Sequence, residues 1–227
     1  MTTTFKNQDL AQYIDHTLLK SEATVSDFEK LCKEAVENKF YAICVPGRFV
    51  KFCRSQLSSA QIKIACVVGF PHGNQSPKSK AFEASLAISD GADEIDMVIS
   101  IGAVKEKNWE FVTEDIKCVV QAALGKPVKV ILETHLLNQE EKKQSIRCCL
   151  QGGAHFIKTS TGFTGGGATL EDISLMKKEA DNKIQIKASG GIKTFEQAVA
   201  LIQAGAHRLG TSSGVQLLNH QTNTGSY

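Results

Sequence analysis

Apolar positions along this chain switch repeatedly between a period of two and a period of three to four. Short runs rich in β-branched residues read as strands: "YIDHTLL" (13–19), "YAICVPG" (41–47), "IKIACVVGF" (62–70), "EIDMVIS" (94–100), "VKVILET" (128–134), "HFIKTST" (155–161), "IQIKASG" (184–190) and "HRLGTSS" (207–213). Between them lie helical patterns: "VSDFEKLCKEAVENK", "SKAFEASLAISD", "WEFVTEDIKCVVQAAL", "QEEKKQSIRCCLQ", "LEDISLMKKEA" and "FEQAVALIQA". Eight strand runs alternating with helical ones, with no linker or low-complexity segment, predict an α/β fold, a (β/α)8 TIM barrel, as a single domain over 1–227. An internal echo agrees. "SDGADEIDMV", "QGGAHFIKT" and "QAGAHRLGT" each leave a helix at Gly-Ala and enter a strand, which suits Gly91, Gly153 and Gly205 to a left-handed cap. The alternative, a doubly wound open sheet, calls for GxGxxG or a P-loop after the first strand, and the sequence has neither.

Strand alternation sorts the side chains of a barrel into those facing the helices and those facing inward. In "IQIKASG" the apolar set Ile184, Ile186 and Ala188 is helix-facing, which turns Gln185, Lys187 and Ser189 inward. By the same count Phe156, Lys158 and Ser160 point in, as does Asp96, with Ile95, Met97 and Ile99 pointing out. A lone strand lysine is ordinarily an edge residue or a snorkelling stem. Two lysines and an aspartate converging late in strands four, six and seven, where catalytic groups of such barrels sit, suggest more. Neighbouring amines in a low-dielectric cavity are expected to depress each other's proton affinity and free one as a nucleophile, with the carboxylate as proton-transfer partner. Such a constellation suits Schiff-base chemistry on a carbonyl.

Composition bounds what the barrel acts on. At 227 residues, with 42% hydrophobic and 22% charged residues, the chain is an ordinary globular protein, and a net charge of +2 provides no field for nucleic acid or an acidic membrane. Seven cysteines without a CxxC pair indicate reduced thiols and a cytoplasmic setting, and no run approaches a membrane span. The six histidines show neither HxH nor HExxH spacing, so no metal site is expected. "SGGIKT" and "LGTSSG" follow strands seven and eight, where barrels place backbone N–H groups and a short helix N-terminus around phosphate. Gly190, Gly191, Gly210, Ser212 and Ser213 are candidates for that ring, with Lys193 adding charge. "TGFTGGGATLED" reads as a flexible loop before a helix capped near Thr169.

"IDHTLLK", "AICVPGRF", "GADEIDMVI", "VKVILET", "FIKTSTGF", "IKASGGI" and "LGTSSG" resemble, in order and spacing, the deoxyribose-phosphate aldolases, over nearly the whole chain. The resemblance implies a class I aldolase that reversibly cleaves 2-deoxy-D-ribose 5-phosphate into acetaldehyde and D-glyceraldehyde 3-phosphate, with no metal or organic cofactor. It implies Lys158 as the Schiff-base lysine, Lys187 as the amine that tunes it and Asp96 as the proton-transfer carboxylate. Asp15, Thr17, Cys44, Thr161 and Gly162 would line the substrate site. One departure stands out: where some members carry a phosphate-holding lysine after TSTG, this chain has Phe163. The expected partner is a small phosphorylated aldehyde or sugar, and neither nucleic acid nor membrane; a homo-oligomer, a dimer first, is the expectation for assembly.

The rival readings are a phosphate-binding barrel isomerase or epimerase without a covalent intermediate, and a noncatalytic metabolite-binding barrel. Borohydride reduction with substrate separates them. Residues 219–227, ending in "NHQTNTGSY", read as a flexible tail. Some members of the resembled family end in a tyrosine proposed to assist enamine protonation, so Tyr227 is expected to visit the closed site.

Overall fold

A computed structural model describes residues 7–221. Among the described residues the strands are β1 Ile14–Thr17, β2 Ala42–Pro46, β3 Lys63–Val68, β4 Glu94–Val98, β5 Val128–Ile131, β6 Phe156–Lys158, β7 Gln185–Ser189 and β8 Arg208–Thr211. They pair in parallel, each with the next and β8 with β1, into a closed barrel. The helices are α1 Asn7–Ala11, α2 Val25–Glu37, α3 Val50–Gln56, α4 Pro77–Ser89, α5 Ile101–Lys105, α6 Trp109–Ala122, α7 Gln139–Gly152, α8 Leu170–Ala180, α9 Phe195–Ala204 and α10 Gly214–Leu218.

All eight expected strands are present, and each is shorter than its apolar run. The reason is local. β3 stops before Gly69 (φ 61°), β7 before Gly190 (φ 86°), and β5 gives way to Glu133 in the left-handed region (φ 55°) and a 3-10 turn over Thr134–Leu136. The runs therefore include the first loop residues. Sequence periodicity misses α1, α3, α5 and α10, of five to seven residues, because two turns or fewer barely repeat a 3.6-residue pattern.

The helices begin and end as local rules require. Asn138 and Glu141 form a capping box on α7, Thr194 and Gln197 one on α9, and Thr169 Oγ1 accepts from Asp172 N on α8. The three Gly-Ala joints are identical: the Ala92, Ala154 and Ala206 N–H groups donate to the carbonyls of Ala87, Cys149 and Leu201, and the preceding glycines Gly91, Gly153 and Gly205 take φ of 105°, 79° and 126°. That 6→1 bond with a positive-φ glycine is the Schellman closure, and it precedes β4, β6 and β8 in turn.

The alternation of strand faces is realised. Ile14, Ile43, Ile64, Ile95, Met97, Val128, Val130, Ile157, Ile186, Ala188 and Leu209 pack outward into one continuous core beneath the helices. Inside, the barrel is divided. Cys44, Ala65 and Val67 form a small apolar cluster with Leu19 and Phe70 on the β2–β3 side. Opposite them the interior is filled with ionised side chains.

Candidate active site

Asp96 on β4 is the centre of the charged half. Its Oδ1 accepts from Lys129 Nζ at 2.6 Å, and its Oδ2 accepts from Lys158 Nζ and Lys187 Nζ, each at 2.8 Å. Register explains the meeting: Asp96 lies opposite Lys129, and Lys158 opposite Lys187, in the parallel ladders. Asp15 on β1 closes the group from the other side, bonding Lys187 Nζ through Oδ2 and Arg208 Nη1 through Oδ1 at 3.0 Å. Glu94 lies one layer below, 2.6 Å from Lys129 Nζ. Arg208 stacks 3.5 Å from the Tyr41 ring and sits 5.7 Å from that of Phe156, closing the N-terminal end of the barrel.

The sequence-predicted trio of Lys158, Lys187 and Asp96 is thus brought together with Asp15. The expected mutual depression of the amines is corrected for Lys187. Burial alone would lower its proton affinity, but Asp15 and Asp96 outweigh it and raise the pKa well above the ordinary lysine value. Lys187 is a fixed cation. Burial would likewise raise Asp96, yet Lys129, Lys158 and Lys187 hold its carboxyl well below the usual range. Asp15 is lowered for the same reason, by Lys187, Arg208 and Lys129 acting against burial.

Thr17 and Cys44 face each other across β1 and β2. The Thr17 hydroxyl donates to Asp15 O at 2.9 Å. Burial and the nearby Asp96 push the Cys44 thiol above its usual value. The Thr161 hydroxyl is engaged: it donates to Glu133 Oε2 at 2.5 Å and accepts from Phe163 N at 3.1 Å. Gly162 makes the turn between them at φ 84°. Phe163 sits edge-on to Phe70 at 5.2 Å, walling a cleft of about 670 Å³ over the apolar half of the barrel that Lys20 and Arg48 also line.

The two loops expected to hold phosphate are adjacent. Thr211 joins them, its hydroxyl donating to Ile192 O at 3.0 Å and accepting from Ser213 N at 3.0 Å. Gly190 and Gly191 both take positive φ, and Ser212 is exposed while Ser213 is buried. Lys193 is half-buried at the head of α9, its N–H donating to Gln197 Oε1. Gly210 lies in β8 itself: a Cβ there would meet Lys187 Cε and Ser189 Cβ at 3.0 Å, so the missing side chain makes room for the lysine stem. The last two of the three glycines are packed: a Cβ on Gly166 would meet the His135 ring and one on Gly167 would lie 2.6 Å from Gly190 O, which accepts from Ala168 N at 3.0 Å. Tyr227 and residues 222–226 of the expected tail lie outside the described residues.

Sequence reasoning missed Lys129, Glu94, Arg208, Glu133 and Thr211. The first three carried the same signal as Lys158, a charge at an inward strand position.

Comparison with known proteins is consistent with this geometry. The description DeoC/LacD family aldolase matches residues 10–220. The chain is 53% identical over 218 residues to a deoxyribose-phosphate aldolase of Bdellovibrio bacteriovorus, covering 96% of this chain and 99% of the relative. It is 51% identical over 211 residues to one of Thermotoga maritima, covering 93% and 85%. A solved structure from Coccidioides immitis superposes with a TM-score of 0.93 at 40% identity, covering 96% of this chain and 87% of the other. The tetrameric deoxyribose phosphate aldolase of Aeropyrum pernix does so at 0.89 and 31%, covering 94% and 91%.

Proposed function

The chain belongs to the DeoC/LacD family of aldolases, and on that premise we propose that it is a class I aldolase that reversibly cleaves 2-deoxy-D-ribose 5-phosphate into acetaldehyde and D-glyceraldehyde 3-phosphate through a Schiff base on Lys158. The observation that carries the reading is the single carboxylate oxygen shared by Lys158 and Lys187, Asp96 Oδ2.

In this reading the strand and its dry surroundings hold the Lys158 amine aimed at the carbonyl. Attack gives a carbinolamine, loss of water gives an iminium, and its positive nitrogen acidifies the adjacent carbon. Lys187, kept cationic by Asp15 and Asp96, shares the Asp96 Oδ2 atom with the Lys158 amine. Asp96, bound by three ammonium groups, is a weak base alone; it takes and returns the proton beside a Lys187 that stays charged. The glycine loops after β7 and β8, with Lys193, hold the phosphate and set the aldehyde's distance from the enamine carbon.

Further expectations attach to the same proposal. The free cysteines fit a reducing cytoplasm, and among the described residues no helix is long and apolar enough to cross a membrane. The tetrameric Aeropyrum relative supports a homo-oligomer. Tyr227 assists proton transfer at the acetaldehyde methyl, and Tyr227→Phe should slow exchange of those protons with solvent.

The experiment is borohydride reduction in the presence of acetaldehyde or deoxyribose 5-phosphate, followed by peptide mapping. The expected result is a reduced two-carbon adduct on Lys158, absent in Lys158→Arg. Label mainly on Lys187 would reverse the two roles, and no covalent label would favour the noncovalent isomerase reading.

A further inference from the structure

The mechanism makes no use of Glu133. Its side chain is wholly buried, and its backbone sits at φ 55° and ψ 59°, a region that side-chain-bearing residues seldom occupy. Both carboxylate oxygens face the loop after β6. The Thr161 N–H lies 3.2 Å from Oε1 and 3.3 Å from Oε2, and the Thr161 hydroxyl donates to Oε2 at 2.5 Å. Thr161 is three residues beyond Lys158.

The turn that Glu133 begins makes a second tie. His135 Nδ1 is 3.5 Å from Glu133 Oε1, and its Nε2 lies 3.0 Å from Thr164 O. The imidazole occupies the space left by Gly166, where a Cβ would fall 2.1 Å from Nδ1. The next residues pass the position on, since Gly167 and Ala168 are seated against Gly190, the first glycine after β7. A continuous chain of contacts runs from Glu133 through Thr161, His135 and Gly166 to the loop expected to hold phosphate.

A buried carboxylate costs free energy unless its bonds return it, and apart from His135 the bonds of Glu133 all go to this loop. We infer that Glu133 is a positioning residue for the aldol reaction: through Thr161 and His135 it fixes the loop of residues 159–168, and with it the register between the Schiff-base lysine and the site for the substrate's phosphate. The inference rests on the aldolase reading above. It also accounts for the Thr161 hydroxyl, whose proton is committed to Glu133.

The test compares the wild-type enzyme with Glu133→Gln, Glu133→Ala and Gly166→Ala. It measures KM and kcat for cleavage of deoxyribose 5-phosphate, acetaldehyde trapping by borohydride, and the effect of added formate on Glu133→Ala. Loss of charge-assisted ties to one loop should raise KM about tenfold with a smaller change in kcat, while trapping still labels Lys158. Gly166→Ala, which displaces the imidazole, should raise KM in the same direction. Formate, as a carboxylate that fits the vacated space, should lower the KM of Glu133→Ala toward that of wild type. KM values within about twofold of wild type in both Glu133 variants would overturn the inference. So would a parallel fall of KM-independent activity and thermal stability without formate rescue, since that is the mark of a merely structural residue. A wild-type enzyme that gives no Lys158 adduct would instead sink the aldolase reading, whatever the Glu133 variants do.

Discussion

Asp96 offers two oxygens to three ammonium groups, and each lysine that meets it arrives from a different strand. Removing one of the three changes the proton affinity of the others. Lys187→Leu takes away a cation that helps hold Asp15 and Asp96 below the usual carboxylate range, so both carboxyls should move up. The acid limb of the kcat/KM profile should therefore move to higher pH as turnover falls, and an unmoved limb would show that Lys187 does not set the charge state of the site's carboxylates. Parity made Lys158, Lys187 and Asp96 legible, because an ionised residue flanked by outward isoleucines has only the interior to face. Lys129 in "VKVILET" and Arg208 in "HRLGTSS" carry the same mark, a charge at an inward strand position. Glu133 could not be read that way, since its partner Thr161 is reached through a left-handed turn that alternation does not describe.

Among elements, the outer layer holds an ion pair of a different kind. Lys80 on α4 donates to Asp115 on α6 at 2.6 Å and to Val98 O at 2.9 Å, and both side chains are wholly buried. Burial pushes the Lys80 amine down and the Asp115 carboxyl up, so here attraction fails to offset desolvation, unlike at Asp96. Lys80→Met alone should cost about 3–5 kcal/mol by stranding a buried carboxylate, whereas Lys80→Met with Asp115→Leu should cost far less. Urea unfolding of the two variants checks this, and equal losses would mean that the pair matters by packing alone. The pair also lay beyond the sequence. "PKSKAFEASLAIS" shows a charged residue on a helix, ordinarily a solvated one, and only the packing of α4 on α6 turns Lys80 inward. The helices over Leu170–Ala180 and Phe195–Ala204, by contrast, were legible from their apolar periodicity, and the cap expected near Thr169 is present.

For the whole molecule, the interior sets three carboxylates, Asp15, Glu94 and Asp96, against four cations, Lys129, Lys158, Lys187 and Arg208, and this balance governs stability against pH. Asp15 and Asp96 titrate below the unfolded aspartate value of about 3.9. Their contribution is present above that value and is lost as pH falls through their folded-state values. Lys187 and Lys129 titrate above the unfolded lysine value of about 10.4. Their contribution is complete below it and is lost as pH rises toward the folded-state values. Stability should accordingly form a plateau from about pH 4 to about pH 10 as far as this network is concerned, with acid unfolding driven by Asp15 and Asp96 together. Asp15→Asn provides the check. It removes one of the two depressed carboxylates, so the free energy of unfolding by urea should fall at pH 7, and its decline between pH 4 and pH 2 should be shallower than in the wild type. An acid decline of unchanged slope would place the pH dependence outside the barrel interior.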